Sequence, residues 1–525
     1  MRRAPPARAR PSAVGSIPAA VGRAAAGRPW IGSFASIEAV GRIETDYLIV
    51  GAGAAGMAFA DALIADCDAD VVLVDRRHRP GGHWNDAYPF VRLHQPSAFY
   101  GVNSRALGGD CIDRAGPNAG MYERATAAQI CDYYQRVLDE HLLPSGRVRF
   151  FGMCDCPLDG AGEQGFASRL TGETTAVRVR RRVVDARYLE TSVPATRTPS
   201  FGAEPGVRLI PVNDLVTVAE PPGGYTVIGG GKTAMDACLW LLDSGVPPEM
   251  IRWIRPRDAW LLDRAYQQPL DLVAWLIEGV SLYVEAAAQA EDAGDLFGRL
   301  EACGQLRRLD PAVQPEMYRC ATVSESELTS LRRIGNVVRQ GRVVHLGPGQ
   351  IVLERGSIPA GAGHVYVDCS AAGLRVAPAR PVFAPGLITL QAIRSCQPAF
   401  SAALAGYVEA SRHDDAGKNR LCPPNPYPDT AADWIPTTCI ALRAQDLWLR
   451  DPDLAAWLDR SRLNAACGIR DHLTEPRMKS ALGRLFANSE QAVTNLDTFL
   501  AQAQQASAAS RHGRRTRTPD TAGRG

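Results

Sequence analysis

Two glycine runs in this chain have the spacing to cradle a pyrophosphate, and each leads to a charged tip that could read the attached ribose. The first, Gly51-Ala52-Gly53-Ala54-Ala55-Gly56, follows apolar Tyr47–Val50 and opens an Ala-rich helical run; a second apolar run, Val71–Val74, ends in Asp75. In a strand, turn, helix, strand frame, Gly51 permits the tight turn, Gly53 lets the backbone approach a pyrophosphate, and Gly56 lets the helix pack against the strand. The helix N-terminus then faces the phosphate charge, and Asp75 accepts hydrogen bonds from a ribose. The glycines alone would equally suit an ordinary tight turn. The flanking strands and the acid are what separate the two readings.

The second run, Gly229-Gly230-Gly231-Lys232-Thr233-Ala234, follows Tyr225–Ile228 and opens a helix through Leu242. The next strand, Ile251–Ile254, ends in Arg255-Pro256-Arg257 where the first motif has an acid. An arginine there can pair with a 2′-phosphate, which favours NADP over NAD. Lys232 either helps the same phosphate or only caps solvent. One acidic and one basic dinucleotide motif imply FAD in the first and NADPH in the second; the alternative is a repeated Rossmann unit with no flavin.

The elements that must position these motifs make an α/β chain. Residues 121–141 recur at three and four as a helix, and 147–190 alternate like strands with glycine-containing turns. At 525 residues, 46% hydrophobic and 22% charged, the composition is that of a globular protein of two or three domains. The net charge of +2 is unevenly placed: residues 1–37 carry six Arg and no acid, 511–525 carry five Arg and one Asp, and the body between stands at −8. An acidic body argues against nucleic acid as a partner. The head shows no periodicity and reads as disordered. Its composition would suit a transit peptide, but three Lys against 55 Arg mark a chain translated from GC-rich DNA, and a dangling leader or over-long start is the simpler account. The nearest approach to a spanning helix, Leu270–Val284, is broken by Asp271 and Glu278; it reads as a core or interface helix, the alternative being a helix that grazes a membrane surface. A cytoplasmic protein without stable membrane insertion is expected.

The 13 Cys include no C-x-x-C, so disulfide-reductase chemistry has no evident seat. Cys154 and Cys156 read as two inert thiols in a strand, and the others as small buried apolar residues scattered singly. No metal site is expected, since Cys467 and His472 lack partners.

Just beyond Asp75 and Arg76 comes Pro80-Gly81-Gly82-His83-Trp84, then Tyr88 and Leu93-His94-Gln95-Pro96. Gly81-Gly82-x-Trp84 behind an N-terminal dinucleotide motif, with the Leu-His-x-Pro that follows, resembles the class B flavoprotein monooxygenases. The likeness is nearest to flavin-containing monooxygenases of the plant auxin-forming kind, with Baeyer–Villiger monooxygenases more distant. The resemblance implies that this segment wraps FAD and lines one side of the isoalloxazine; a glycine-rich loop around a packed Trp is the alternative. It implies further that Val365–Gly373, with Ser370-Ala371-Ala372-Gly373 in place of an A-T-G turn, is a strand of the flavin domain. Pro385–Gln391 and Pro398–Leu404 would be the closing strand and the helix whose N-terminus faces the flavin pyrimidine. Gln391 and Ser401 are then flavin neighbours, or simple helix caps. The resemblance spans about 41–410 and is uneven. The family's F-x-G-x-x-x-H is replaced by Phe201-Gly202 and Val207–Asp214, with no His between His141 and His345, and Tyr188–Thr191 replaces the first A-T-G-like linker. Both departures fall at the hinge, which leaves flavin and NADPH binding untouched and puts oxygen activation and the substrate class in question.

The expected architecture is two Rossmann-like domains, the NAD(P) domain inserted in the FAD domain, plus a helical C-terminal region. The expected bounds are a leader at 1–42, a first FAD-binding segment at 43–215, NAD(P)H with a helical insertion at 216–320, a second FAD-binding segment at 321–410, helices at 411–500 and a disordered tail at 501–525. The resemblance implies a flavoprotein oxidoreductase that forms a flavin C4a-hydroperoxide and oxidises a small organic molecule with molecular oxygen. The rivals are an NADPH-dependent flavin reductase or dehydrogenase, and an idle flavin-fold subunit that binds a partner. His94 is the first candidate for a catalytic group, followed by Asn213 and Gln391. Substrate identity and oligomeric state are not legible.

Overall fold

The computed structural model describes residues 41–158, 164–375 and 377–515. The expected disordered leader up to residue 40 and the last ten residues of the tail lie outside the described residues.

Tyr47–Val50 is apolar at every position, as a strand covered on both faces must be, and all four residues are buried. They end β1 (Gly41–Val50), which feeds α1 (Ala54–Asp66) and β2 (Val71–Val74). β1 and β2 pair in parallel, Tyr47 opposite Val71 and Val50 opposite Val74. After α2 (Ala127–Val137), started by a reciprocal cap between Thr126 and Gln129, β3 (Val148–Phe151) extends the sheet beside β2. β4 (Cys154–Asp155), β5 (Gln164–Ser168) and β6 (Thr174–Asp185) form an antiparallel meander. β6 also lies parallel to the other side of β1, and Leu387–Thr389 closes the sheet beside β6. The helix Pro398–Ser411 packs on α1 with little between them: a Cβ on Gly406 would lie 2.7 Å from the Phe59 carbonyl oxygen.

Between β6 and Leu387 the chain builds a second parallel sheet, in the order 336–338, 251–254, 224–228, 364–368, 209–211. α3 (Lys232–Asp243) follows its 224–228 strand. The expected boundary at 320 therefore falls inside this unit. Val365–Asp368 pairs with Tyr225–Ile228 and so belongs to the second sheet and not to the first; a strand buried along its length carries no mark of which sheet it joins. The two crossings between units pair antiparallel, Gly373 opposite Ser192 and Leu374 opposite Thr191.

Residues 258–323 add a small sheet of Ala259–Asp263, Leu306–Arg307 and Met317–Val323 with two helices, Val273–Gln289 and Ala293–Ala302. The apolar run near 270 becomes the first of these, packing Val273, Ala274 and Ile277 on Met478 and Ala481. Those partners sit on the helix Pro476–Arg515. The expected disorder from Ala501 is thereby corrected as far as Arg515, where the chain is helical. Among the described residues no helix is long and apolar enough to cross a membrane.

Candidate active site

β1 delivers Val50 to a turn that needs a left-handed backbone, and Gly51 has φ of +109°. A Cβ on Gly56 would lie 1.9 Å from the Gly51 carbonyl oxygen, and one on Gly82 would lie 2.9 Å from the Gly53 Cα. Missing side chains thus draw both α1 and the Pro80–Trp84 loop against the turn. α1 starts without a side-chain cap at Gly53 and without an acid in its first turn. Its orphan N–H groups and the positive end of its dipole stay available to an anion. At the tip of β2 the buried Asp75 carboxylate accepts the Ala52 N–H at 2.6 Å and the Arg77 N–H at 2.8 Å. Both oxygens keep lone pairs for a further donor.

These groups line one cleft of about 1060 Å³, its open mouth included. Gly51, Gly53, Ala54, Ala55, Asp75, Arg76, Gly82, His83 and Gln391 all border it. Trp84 stands behind the wall, its indole N–H donating to the Tyr100 hydroxyl at 2.7 Å. Arg76 pairs with Glu190 at 3.2 Å at the rim. Burial first, and the Arg77 guanidinium second, pull the His83 imidazole down to about 4 against the opposing pull of Asp86, so it is neutral at pH 7. Gln391 spends its side-chain amide on the backbone of Arg380, accepting at 3.2 Å and donating at 2.8 Å. Ser401 is buried and does not border the cleft; its hydroxyl accepts the N–H groups of Ile393 and Arg394 at 3.2 and 3.1 Å and donates to the Gln397 carbonyl at 2.8 Å. An uncapped helix start, an acceptor carboxylate and an apolar far wall of Leu390, Ala392 and Ala402 fit a flavin adenine dinucleotide.

Several further residues line the cleft. Cys154, Asp155 and Cys156 form part of the wall, as do Tyr100 and Tyr427. The Tyr100 phenol is pushed up to about 12 by burial and stays protonated. Tyr427 comes from the C-terminal region, where no motif announced it.

At the second motif Gly229 has φ of +139°, and a Cβ there would lie 2.6 Å from the Cys369 carbonyl oxygen. Gly231 is exposed, faces open space, and starts α3 without a side-chain cap. Lys232 is buried and ion-paired with Asp236, which also accepts the Tyr88 hydroxyl at 2.7 Å. Thr233 is half-buried and Ala234 fully packed. Arg255 is wholly enclosed, 4.5 Å over the Trp253 ring and 3.4 Å from Asp258, and its three side-chain nitrogens have no hydrogen-bond acceptor among the described residues. Burial pulls its guanidinium down to about 10. Arg257 is half-buried and lies 3.6 Å from Asp429. Gly373, with φ of +72°, sits in the ribbon of the two crossings.

Of the three expected catalytic groups, only Gln391 borders the first cleft. His94 is half-buried, and burial first, then Lys232, Arg264 and Arg124, hold its imidazole well below the usual range. Its carbonyl accepts the Arg264 Nε–H at 2.9 Å. Glu327 lies between Arg264 at 2.6 Å and Arg124 at 3.1 Å. Burial would raise that carboxyl, but Lys232, Arg264 and Arg124 together hold it at about 2. Asn213 donates to the Asp86 carbonyl at 3.1 Å, and its own carbonyl oxygen is buried with no hydrogen-bond partner among the described residues. It ties the 212–217 turn to the loop that wraps the cleft.

The reading of the cysteines as isolated thiols is corrected at one pair. Cys320, on the Met317–Val323 strand, and Cys396, just ahead of the Pro398–Ser411 helix, form a disulfide with Cα atoms 6.4 Å apart. The two are 76 residues apart, so no short spacing could reveal them. Cys154 and Cys156 are both buried and take no part in the disulfide.

Fold and site together define an α/β protein in which one Rossmann-like unit is inserted in another. The family model of an NAD(P)-binding Rossmann-like domain matches residues 49–100. Uncharacterized protein Rv2000 of Mycobacterium tuberculosis strain H37Rv is 48% identical over 446 residues, which is 85% of this chain and 82% of that one. Uncharacterized protein Mb2023 of Mycobacterium bovis matches with the same identity and coverage. The chain belongs to the family of these mycobacterial proteins. Among solved structures, a closed form of cyclohexanone monooxygenase is similar at 13% identity and a TM-score of 0.42, covering 70% of this chain and 85% of that one. An ornithine N-hydroxylase of Kutzneria sp. 744 is similar at 14% identity and a TM-score of 0.38, covering 63% and 81%.

Proposed function

We propose that the chain is an NADPH-driven, FAD-dependent oxidoreductase that acts as a monooxygenase on a small organic molecule. The observation that carries this reading is the first cleft, where an uncapped helix start, the Asp75 carboxylate and the start of the Pro398–Ser411 helix border one space. When bound, FAD accepts hydride from NADPH and supplies the electrons that reduce oxygen. The chain's own share is position and electrostatics. Asp75 accepts from the ribose hydroxyls, and the N–H groups at the start of α1 meet the pyrophosphate. The Pro398–Ser411 helix has no acid in its first turn, so its positive end stabilises negative charge on a reduced ring. His83, neutral at pH 7, offers a hydrogen bond there without adding a cation. Lys232 and Arg257 serve the nicotinamide dinucleotide, with Arg257 at its 2′-phosphate.

A second reading keeps both dinucleotides and omits oxygen insertion, leaving an NADPH-dependent flavin reductase or dehydrogenase. The paired crossings favour it: Glu190 and Thr191 border the cleft where the resembled family carries its hinge motif. The test is anaerobic reduction of the purified yellow protein with NADPH and, separately, NADH, then rapid mixing with oxygenated buffer over a panel of small substrates. A transient absorbance band distinct from oxidised and reduced flavin, prolonged by NADP, supports the monooxygenase. Direct return to oxidised flavin with peroxide release under every condition supports the reductase. A colourless protein that takes up no FAD overturns both and leaves a binding subunit.

A further inference from the structure

The first cleft is completed by a segment that neither dinucleotide motif supplies. After the helix Asp415–Leu421 the chain makes a Pro-rich turn through Pro423, Pro424, Pro426 and Pro428. That turn is held from both sides. Asn425 is buried, gives its backbone N–H to the Ala392 carbonyl at 2.7 Å, and gives its side-chain amide to the Thr437 carbonyl at 3.0 Å. Asp429 accepts the Arg319 Nε–H at 2.6 Å through its carboxylate and the Tyr318 N–H at 3.0 Å through its carbonyl. A turn anchored this way fixes Tyr427 on the cleft wall beside Tyr100, Gln391, Ala392 and Pro398.

The Tyr427 hydroxyl oxygen is buried and has no hydrogen-bond partner among the described residues. A buried phenol ordinarily finds one. No polar neighbour on this wall bonds to it: Gln391 holds the Arg380 backbone, and Tyr100 accepts the Trp84 indole N–H. The partner must then come from whatever fills the cleft. On the flavin reading above, on which this inference rests, Asp75 and the Gly51–Gly53 turn take ribose and pyrophosphate. The remaining wall, with Ala392 and Pro398, is left for the ring. We propose that the Tyr427 hydroxyl donates a hydrogen bond to the ring system of the bound flavin, which makes the Pro-rich turn of the C-terminal region a component of the flavin site. Burial, reinforced by nearby Tyr100, pushes the phenol well above its ordinary pKa and keeps the proton on the donor.

The test strips the full-length wild type and Tyr427→Phe of flavin and titrates both with FAD. The phenylalanine keeps the ring and removes only an unpaired hydroxyl, so the flavin-free variant should melt at or above the wild-type temperature. With FAD, the variant is expected to bind about three- to tenfold more weakly, the worth of one net hydrogen bond, and to show a shifted long-wavelength flavin band. Equal affinity and an unshifted band, with wild type taking up FAD normally, overturn this inference alone. A wild type that takes up no FAD overturns the flavin reading itself.

Discussion

The Cα of Gly56 stands so close to the carbonyl oxygen of Gly51 that a methyl group added to it would lie 1.9 Å from that atom. The obstacle is backbone, held on one side by β1 and on the other by α1, so it cannot rotate away. Gly56→Ala should therefore cost several kcal/mol, in the range of severe core lesions, and abolish FAD uptake. Gly231 offers the contrast, because a Cβ there meets open space and its φ of −88° suits any residue. Gly231→Ala should leave the melting temperature unchanged and weaken NADPH binding alone. Thermal melting with parallel FAD and NADPH titrations checks both. Equal melting losses in the two variants would contradict the different roles given to these glycines.

His83 makes a prediction about acid stability. Its imidazole is held at about 4 in the folded chain and returns towards the ordinary 6.5 on unfolding. Between those values the unfolded chain binds the extra proton. The contribution to stability is thus complete above about pH 6.5 and is lost as pH falls towards 4. It amounts to no more than about 3 kcal/mol, and less because the ring borders an open cleft. His94, depressed in the same sense, adds to the trend. His83→Gln should narrow the loss of melting temperature between pH 7.5 and pH 5 in the flavin-free protein. An unchanged difference would place the acid sensitivity elsewhere.

How much of this was legible in the sequence depended on how local each relationship is. The β1–α1–β2 unit could be read outright, since Gly51, Gly53, Gly56 and Asp75 act within one contiguous stretch whose spacing is dictated by the turn. Val365–Asp368 was placed in the wrong sheet, because four buried residues in a parallel strand carry no mark of which sheet they join. Gln391 and Ser401 read alike as flavin neighbours or helix caps, but the directions of their side chains depend on the backbone of Arg380 and Arg394, and only Gln391 borders the cleft. Tyr427 reaches the cleft through the Asn425 and Asp429 anchors, contacts that no periodicity encodes.

The disulfide supplies a prediction about redox conditions. Cys320 and Cys396 join the small sheet of the inserted segment to the loop ahead of the Pro398–Ser411 helix. Closing so long a loop restricts the unfolded chain, and such bonds typically stabilise by about 2–4 kcal/mol. Cys320→Ser should lower the melting temperature, and a reducing agent should lower the wild type to the same value while leaving the variant unmoved. A wild type indifferent to reductant would show that the bond does not contribute.

Arg255 and Arg257 occupy the same strand tip and should behave oppositely towards the nicotinamide dinucleotide. Arg255 has no exposed surface and spends its charge on Asp258 and the Trp253 face, so no ligand can reach it without opening the core. Arg257 is half-buried and 3.6 Å from a partly exposed Asp429, an ion pair that a phosphate can outcompete at modest cost. Arg257→Ala should raise KM for NADPH about tenfold, corresponding to about 1.4 kcal/mol, and leave KM for NADH unchanged. Arg255→Met should preserve the NADPH to NADH preference whatever it does to stability. Steady-state flavin reduction with each coenzyme measures both ratios. A loss of NADPH preference in Arg255→Met with none in Arg257→Ala would reverse the assignment and require the Trp253 face to open when the coenzyme binds.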